Sequence, residues 1–317
     1  MSRALESVIG ALNGLVGDHL ARTGNGLAID LQLVRHDAPV PVTRAALAAA
    51  YPEASARVVV LVHGLMCTES NFRLPDGSDY GSLLERDLGF TPLYVRYNSG
   101  LPIADNGAAL SALLELVFEA YPRPIEEIVL LGHSMGGLVS RSACHVASLA
   151  NVHWVTLVRR AFYVGTPHRG APYERLGRVL TKLAMKVPDP YVRLAAELGD
   201  LRSDGVKDLG DADLRHEDRA RRRATLSLRD AEHPVPLLPA IQHHLIAGSL
   251  TLEPWVTRLF GDTMVPLASA SDGHFEHITE RLIAPSNVKL LPGIGHLALA
   301  HHPDVYACLR GWLEVAP

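Results

Sequence analysis

Ile128-Val129-Leu130-Leu131-Gly132-His133-Ser134-Met135-Gly136 is the stretch on which the reading of this chain turns. An apolar run enters as a strand and meets a Gly-x-Ser-x-Gly turn. The following Gly137-Leu138-Val139-Ser140-Arg141-Ser142-Ala143 reads as a helix. Gly132 and Gly136 flank Ser134 at the two positions where a side chain would clash, so the serine can hold a strained backbone with Oγ exposed. The helix N-terminus points at that serine, and its N–H groups favour negative charge developing there.

A serine hydroxyl is a poor nucleophile at neutral pH. It needs a base, and the base needs an orienting carboxylate. After a serine turn of this kind the chain order is Ser, then Asp or Glu, then His. Among His274, His277, His296, His301 and His302, only His296 directly follows a strand-like run and a glycine turn, Val288-Lys289-Leu290-Leu291-Pro292-Gly293-Ile294-Gly295. His301 and His302 precede Pro303 and a helix expected over Asp304 to Leu313, where they read as loop and helix-start residues. His274 and His277 read as a solvated face rather than a metal site. The expected acid is Asp262, in Phe260-Gly261-Asp262-Thr263-Met264-Val265-Pro266, with Asp272 as the alternative. Asp211, Asp213, Asp218 and Asp230 lie in a charged stretch that reads as solvated.

The fully apolar Val58-Val59-Val60-Leu61-Val62 reads as a strand buried on both faces. It runs straight into His63-Gly64-Leu65-Met66-Cys67. In α/β-hydrolases, which this pattern resembles, the loop after the early strand supplies one oxyanion-binding N–H, and the residue after the nucleophile supplies the other. The expected donors are therefore Leu65 and Met135. His63 is expected to hydrogen-bond loop backbone rather than act as the base.

Together these segments resemble the α/β-hydrolase superfamily, and within it bacterial lipases and carboxylesterases. The resemblance is carried by Val62-His63-Gly64-Leu65, Leu131 through Gly137, Gly165-Thr166-Pro167-His168-Arg169-Gly170, Gly261-Asp262 through Val265-Pro266, and Gly293-Ile294-Gly295-His296. The Gly-Thr-Pro-His-Arg-Gly segment is similar to that of lipase-like members, including a group resembling inositol-lipid deacylases. Many lipases carry Asp-Gly before the Val-Pro, whereas Thr263 and Met264 intervene here. The resemblance implies a serine esterase with Ser134, Asp262 and His296 as its triad. It implies no cofactor, and a small-molecule or lipid ester as substrate. A thioesterase, an acyltransferase or a non-catalytic binding protein on the same fold remain open readings.

Composition is consistent with this. A chain of 317 residues, 48% of them apolar, suits one large α/β domain carrying an inserted cap, or two domains. The net charge of −4 provides no field for nucleic acid. Cys67, Cys144 and Cys308 show no ligand spacing, so no metal is expected, and their odd number fits a reducing compartment. No apolar run is long enough for a transmembrane helix. Glu6, Asn13 and several glycines interrupt the N-terminal apolar pattern, so no clear signal peptide is read and a cytoplasmic location is expected.

Strands are expected at Leu27–Leu33, Arg57–Val62, Leu93–Tyr97, Glu127–Leu131, Ala161–Val164, His243–Ala247 and Val288–Leu291, with helices between them. That alternation predicts an α/β-hydrolase fold, a mostly parallel sheet covered on both faces. The core is assigned to 1–170 and 236–317, with an amphipathic helix over about residues 3–20. A helical cap or lid is assigned to 171–235. Asn106 is the expected N-cap of a helix bearing Leu110, Leu113, Leu114, Val117 and Phe118. Met66, Phe72, Asn98 and Met185 are the candidate pocket residues. Oligomeric state is not legible.

Overall fold

A computed structural model describes residues 3–168, 170, 203–211, 213–218, 235–249 and 283–315. Its centre is one eight-stranded sheet in the order β2-β1-β4-β3-β5-β6-β7-β8. The strands are β1 (Gln32–Arg35), β2 (Ala38–Val40), β3 (Arg57–Val62), β4 (Thr91–Arg96), β5 (Glu127–His133), β6 (Val158–Val164), β7 (Gln242–Ser249) and β8 (Val288–Pro292). From β4 to β8 every neighbouring pair is parallel, and β1 joins β4 and β2 antiparallel at one edge.

The period-two alternation of strand side chains divides β3 between two cores. Val58, Val60 and Val62 face one cluster, and Val59 and Leu61 face the other. The first core includes residues of α1 (Arg3–Arg22), α4 (Ile103–Ala120), α5 (Met135–Leu149) and α6 (Asp204–Asp211). The second includes residues of α3 (Tyr80–Leu88) and α7 (Pro303–Glu314). Strands buried on both sides have no polar face to offer solvent, which explains the uninterrupted valines of β3. Truncating Leu61 to Ala would cost about 2–5 kcal/mol through lost burial and the cavity left behind.

Local chemistry sets the helix ends. Asp79 and Ser82 form a reciprocal capping box at the start of α3, each bond 3.0 Å long. Gly89 ends that helix in the left-handed region with φ 69°, where a Cβ is disfavoured. Short α2 (Arg44–Ala50) is capped by Thr43.

Several expectations are corrected. The first strand is Gln32–Arg35 rather than Leu27–Leu33, and it turns at His36-Asp37 into β2. Helix α4 begins at Ile103, so Asn106 lies inside its first turns, donating to Asn98 O at 2.9 Å. Within the segment assigned to a cap, α6 contributes Val206 and Leu209 to the first core cluster. Val206 and Leu209 of α6 are fully buried, and Asp208 Oδ2 accepts the Ile103 N–H at 3.0 Å, capping α4. Asp213, expected to be solvated, is buried as well. The remainder of 171–235, with Met185, lies outside the described residues. No described helix is long and apolar enough to cross a membrane.

Candidate active site

The carboxyl ends of β3, β5 and β6 and the loop after β8 converge on Ser134. This serine sits at φ 54°, ψ −123° between β5 and α5. Its N–H donates to Val164 O at the end of β6, 2.8 Å away. The flanking glycines are required sterically. A Cβ on Gly132 would lie 2.5 Å from the Gly137 backbone, and one on Gly136 would lie 2.1 Å from Val62 O. No flexible side chain could give way at either contact, since the obstacles are backbone atoms.

His296 reaches the serine from a separate loop. Gly293, with φ 80°, turns the chain out of β8. His296 Nε2 then lies 2.9 Å from Ser134 Oγ in a buried contact. A ring nitrogen at this distance is placed to accept the Ser134 O–H. Gly165, the first residue of the Gly-Thr-Pro-His segment, passes directly beneath the ring. Its missing Cβ would stand 3.3 Å from His296 Cε1 and Nδ1, and its φ of 62° also favours glycine.

Two other histidines line this edge, and both are held neutral. Burial pushes His63 down to about 4. Its Nδ1–H donates to Gly64 O at 2.9 Å, and its Nε2 accepts the Tyr97 N–H at 3.3 Å. Both nitrogens are thus committed to loop backbone, the role expected of it. His133 is pushed down to about 3, by burial first and by its neighbour His296 second. Its Nε2–H donates to His296 O at 3.1 Å, and its Nδ1 accepts from Asn71 Nδ2 at 3.2 Å. The variable position inside Gly-x-Ser-x-Gly therefore ties the elbow to the backbone of the His296 loop. Sequence reading missed His133 and Asn71, because these contacts join residues 163 and 62 positions apart.

The loop after β3 packs against the elbow. A Cβ on Gly64 would lie 3.1 Å from Ser134 Cβ. Among the described residues, neither the Leu65 N–H nor the Met135 N–H donates to a backbone acceptor.

Asn98 has both ends of its amide engaged, Nδ2 on Gly17 O at 2.9 Å and Oδ1 on the Gly100 N–H at 3.0 Å. It joins α1 to the core. Phe72 is fully buried in the second core cluster, its ring 6.2 Å from that of Tyr80. Met66 is buried against α1, and a Cβ on Gly14 would lie 2.3 Å from its Cγ. His302 caps α7 through Nδ1, and His301 contacts Asn71 O at 3.2 Å. Asp262, Asp272, His274 and His277 lie outside the described residues.

Comparison with known proteins follows this geometry. Residues 100–217, spanning α4, the elbow and α6, match the model of the PGAP1-like alpha/beta domain. No curated protein matches the chain. Among solved structures, the mature form of Bacillus licheniformis lipase BlEst2 is similar at 20% identity and a TM-score of 0.50, covering 81% of this chain and 91% of that one. The propeptide form of the same lipase gives 20% identity and a TM-score of 0.51, over 83% of this chain and 51% of that one. Lipase B of Aspergillus fumigatus gives 12% identity and a TM-score of 0.49, over 89% of this chain and 60% of that one. The fold is thus of the α/β-hydrolase type, and residues 100–217 are similar to a PGAP1-like alpha/beta domain.

Proposed function

We propose that the protein is a serine hydrolase that cleaves carboxylic esters with hydrophobic acyl groups through an acyl-enzyme. The observation that carries this reading is the 2.9 Å contact between His296 Nε2 and Ser134 Oγ at a left-handed elbow. In the reaction His296 takes the Ser134 proton as Oγ attacks the ester carbonyl. The Leu65 and Met135 N–H groups receive the oxyanion, a contribution worth roughly 100–1,000-fold in rate per donor. His296 then delivers the proton to the leaving alcohol, and water attacks the acyl-serine with His296 again as base. Asp262 is assigned the carboxylate that holds the imidazole tautomer and stabilises the imidazolium. This sequence of steps uses no cofactor. A small-molecule or lipid ester is the assigned substrate, and the cytoplasm the assigned location.

The test is hydrolysis of 4-nitrophenyl esters from acetate to palmitate by the parent protein and by Ser134→Ala. The expected outcome is turnover that falls by about 10⁴-fold or more in the variant. Equal turnover in both would remove Ser134 from the mechanism. A long-chain optimum would support the hydrophobic acyl assignment, and an acetate optimum would overturn it.

A further inference from the structure

The loop after β3 holds a bulky residue in a conformation that ordinarily suits glycine. Met66 has φ 60°. Such a residue persists only where its surroundings over-determine it, and residues of this kind gather where position matters. Three sets of contacts hold this one. Ser99 Oγ accepts the Met66 N–H at 3.0 Å in a buried bond. The Cys67 N–H returns to Gly64 O at 3.3 Å, closing the turn. Helix α1 lies directly on the back of the loop, because a Cβ on Gly14 would come within 2.7 Å of both Met66 N and Met66 Cα. The helix is also tied there by charge. Arg96, at the end of β4, grips Glu69 just beyond the loop through Nε and Nη2, and approaches Glu6 of α1 at 3.6 Å.

Ser99 is itself fixed. It is 1% exposed, and α6 sits on its carbonyl, since a Cβ on Gly205 would lie 2.2 Å from Ser99 O. Fastening the 65–66 peptide to a buried hydroxyl restricts rotation of the preceding peptide. That preceding peptide carries the Leu65 N–H.

We infer that Ser99 is a positioning residue of the oxyanion hole, acting through the left-handed Met66, with α1 as the backing that keeps the loop seated. This inference rests on the serine-hydrolase reading of the site. Ser99 is not assigned any contact with substrate. Its hydroxyl aims a neighbour's backbone, so removing it should misplace a donor without emptying the pocket.

The experiment compares the parent, Ser99→Ala, Met66→Gly and the double variant, with Gly26→Ala as a control at a glycine that has nothing within 4 Å. For Ser99→Ala, kcat on 4-nitrophenyl butyrate is expected to fall about 10- to 100-fold. KM should stay within about twofold, the signature of an interaction made in the transition state. Affinity for a trifluoromethyl ketone, whose adduct bears an oxyanion, should fall by the same factor as kcat. Glycine adopts φ 60° readily, so the Ser99→Ala loss should be smaller in the Met66→Gly background. A merely structural Ser99 would give equal losses in both backgrounds, following Tm. Should Ser99→Ala fail to fold, Ser99→Cys, similar in shape with a weaker acceptor, replaces it in the same comparison. Unchanged kcat and inhibitor affinity in a folded variant would overturn the inference while leaving Ser134-dependent hydrolysis intact. A parent protein without Ser134-dependent hydrolysis would instead overturn the reading beneath it.

Discussion

The two ends of the same parallel sheet are built on opposite terms. At the amino ends of β3, β5 and β6, Glu127 bridges Arg57 at 2.8 Å and Arg160 at 3.0 Å, and Arg57 covers the Phe90 ring at 4.0 Å. Charges there are paired, and Glu127 keeps a little solvent. At the carboxyl ends, Met66 and Ser134 hold left-handed backbone. His63 and His133 are buried and neutral, and glycines allow backbones to meet where a Cβ could not fit. One end uses ordinary complementarity for stability. The other concentrates strain and desolvation around one hydroxyl, as expected where chemistry depends on position.

The most damaging way to probe this contrast is Gly136→Ala. Its Cβ would lie 2.1 Å from Val62 O, so the elbow must move. Esterase activity should fall by at least about 100-fold even where the protein still folds, since a 1 Å misplacement can cost that much. Wild-type turnover in this variant would show that the elbow geometry is not needed. Next in size is His133→Phe, which keeps a ring but removes the bond to His296 O. We expect kcat to drop about 10- to 100-fold, with Tm lowered through the lost buried hydrogen bonds, each worth roughly 1 kcal/mol. A variant with unchanged kcat would reduce His133 to packing.

Acid should weaken the carboxyl end through its neutral histidines. In the folded protein His63 is pushed to about 4 and His133 to about 3, against about 6.5 when unfolded. Between those values the unfolded chain binds more protons, so stability is full above about pH 6.5 and falls as pH drops toward 4. The slope is about 1.4 kcal/mol per pH unit for each such histidine. Urea midpoints at pH 7.5 and pH 5 measure it, and a midpoint that rises on acidification would contradict the burial. The smallest effect on catalysis is expected at the opposite end. Glu127→Gln should lower stability by about 1–2 kcal/mol, a few degrees in Tm, while kcat stays unchanged. A large kcat loss there would erase the distinction between the two ends.

Much of this arrangement was legible in the residues. The valines of β3 allow no reading but a doubly buried strand, and its bounds are those expected. Ser134 was marked by glycines that the structure uses for close approach, and His296 by Gly293, which turns the chain at φ 80°. What was hidden depends on contacts between distant positions. Nothing near His133 announces His296, and nothing near Ser99 announces Met66. Asn98 reads as a polar loop residue until Gly17 is brought to it. Pro39 obscured β2, which is tolerable in an edge strand. Asp213 reads as solvated because its neighbours are charged, yet it is buried.

The central claim is that Ser134 is a nucleophile activated by His296. Its most direct test is reaction with a fluorophosphonate, followed by mass-spectrometric mapping of the adduct in the parent and in His296→Ala. Stoichiometric phosphonylation of Ser134 is expected in the parent, and little in the variant over the same time. An adduct on another residue, or equal labelling of Ser134 without His296, would contradict it.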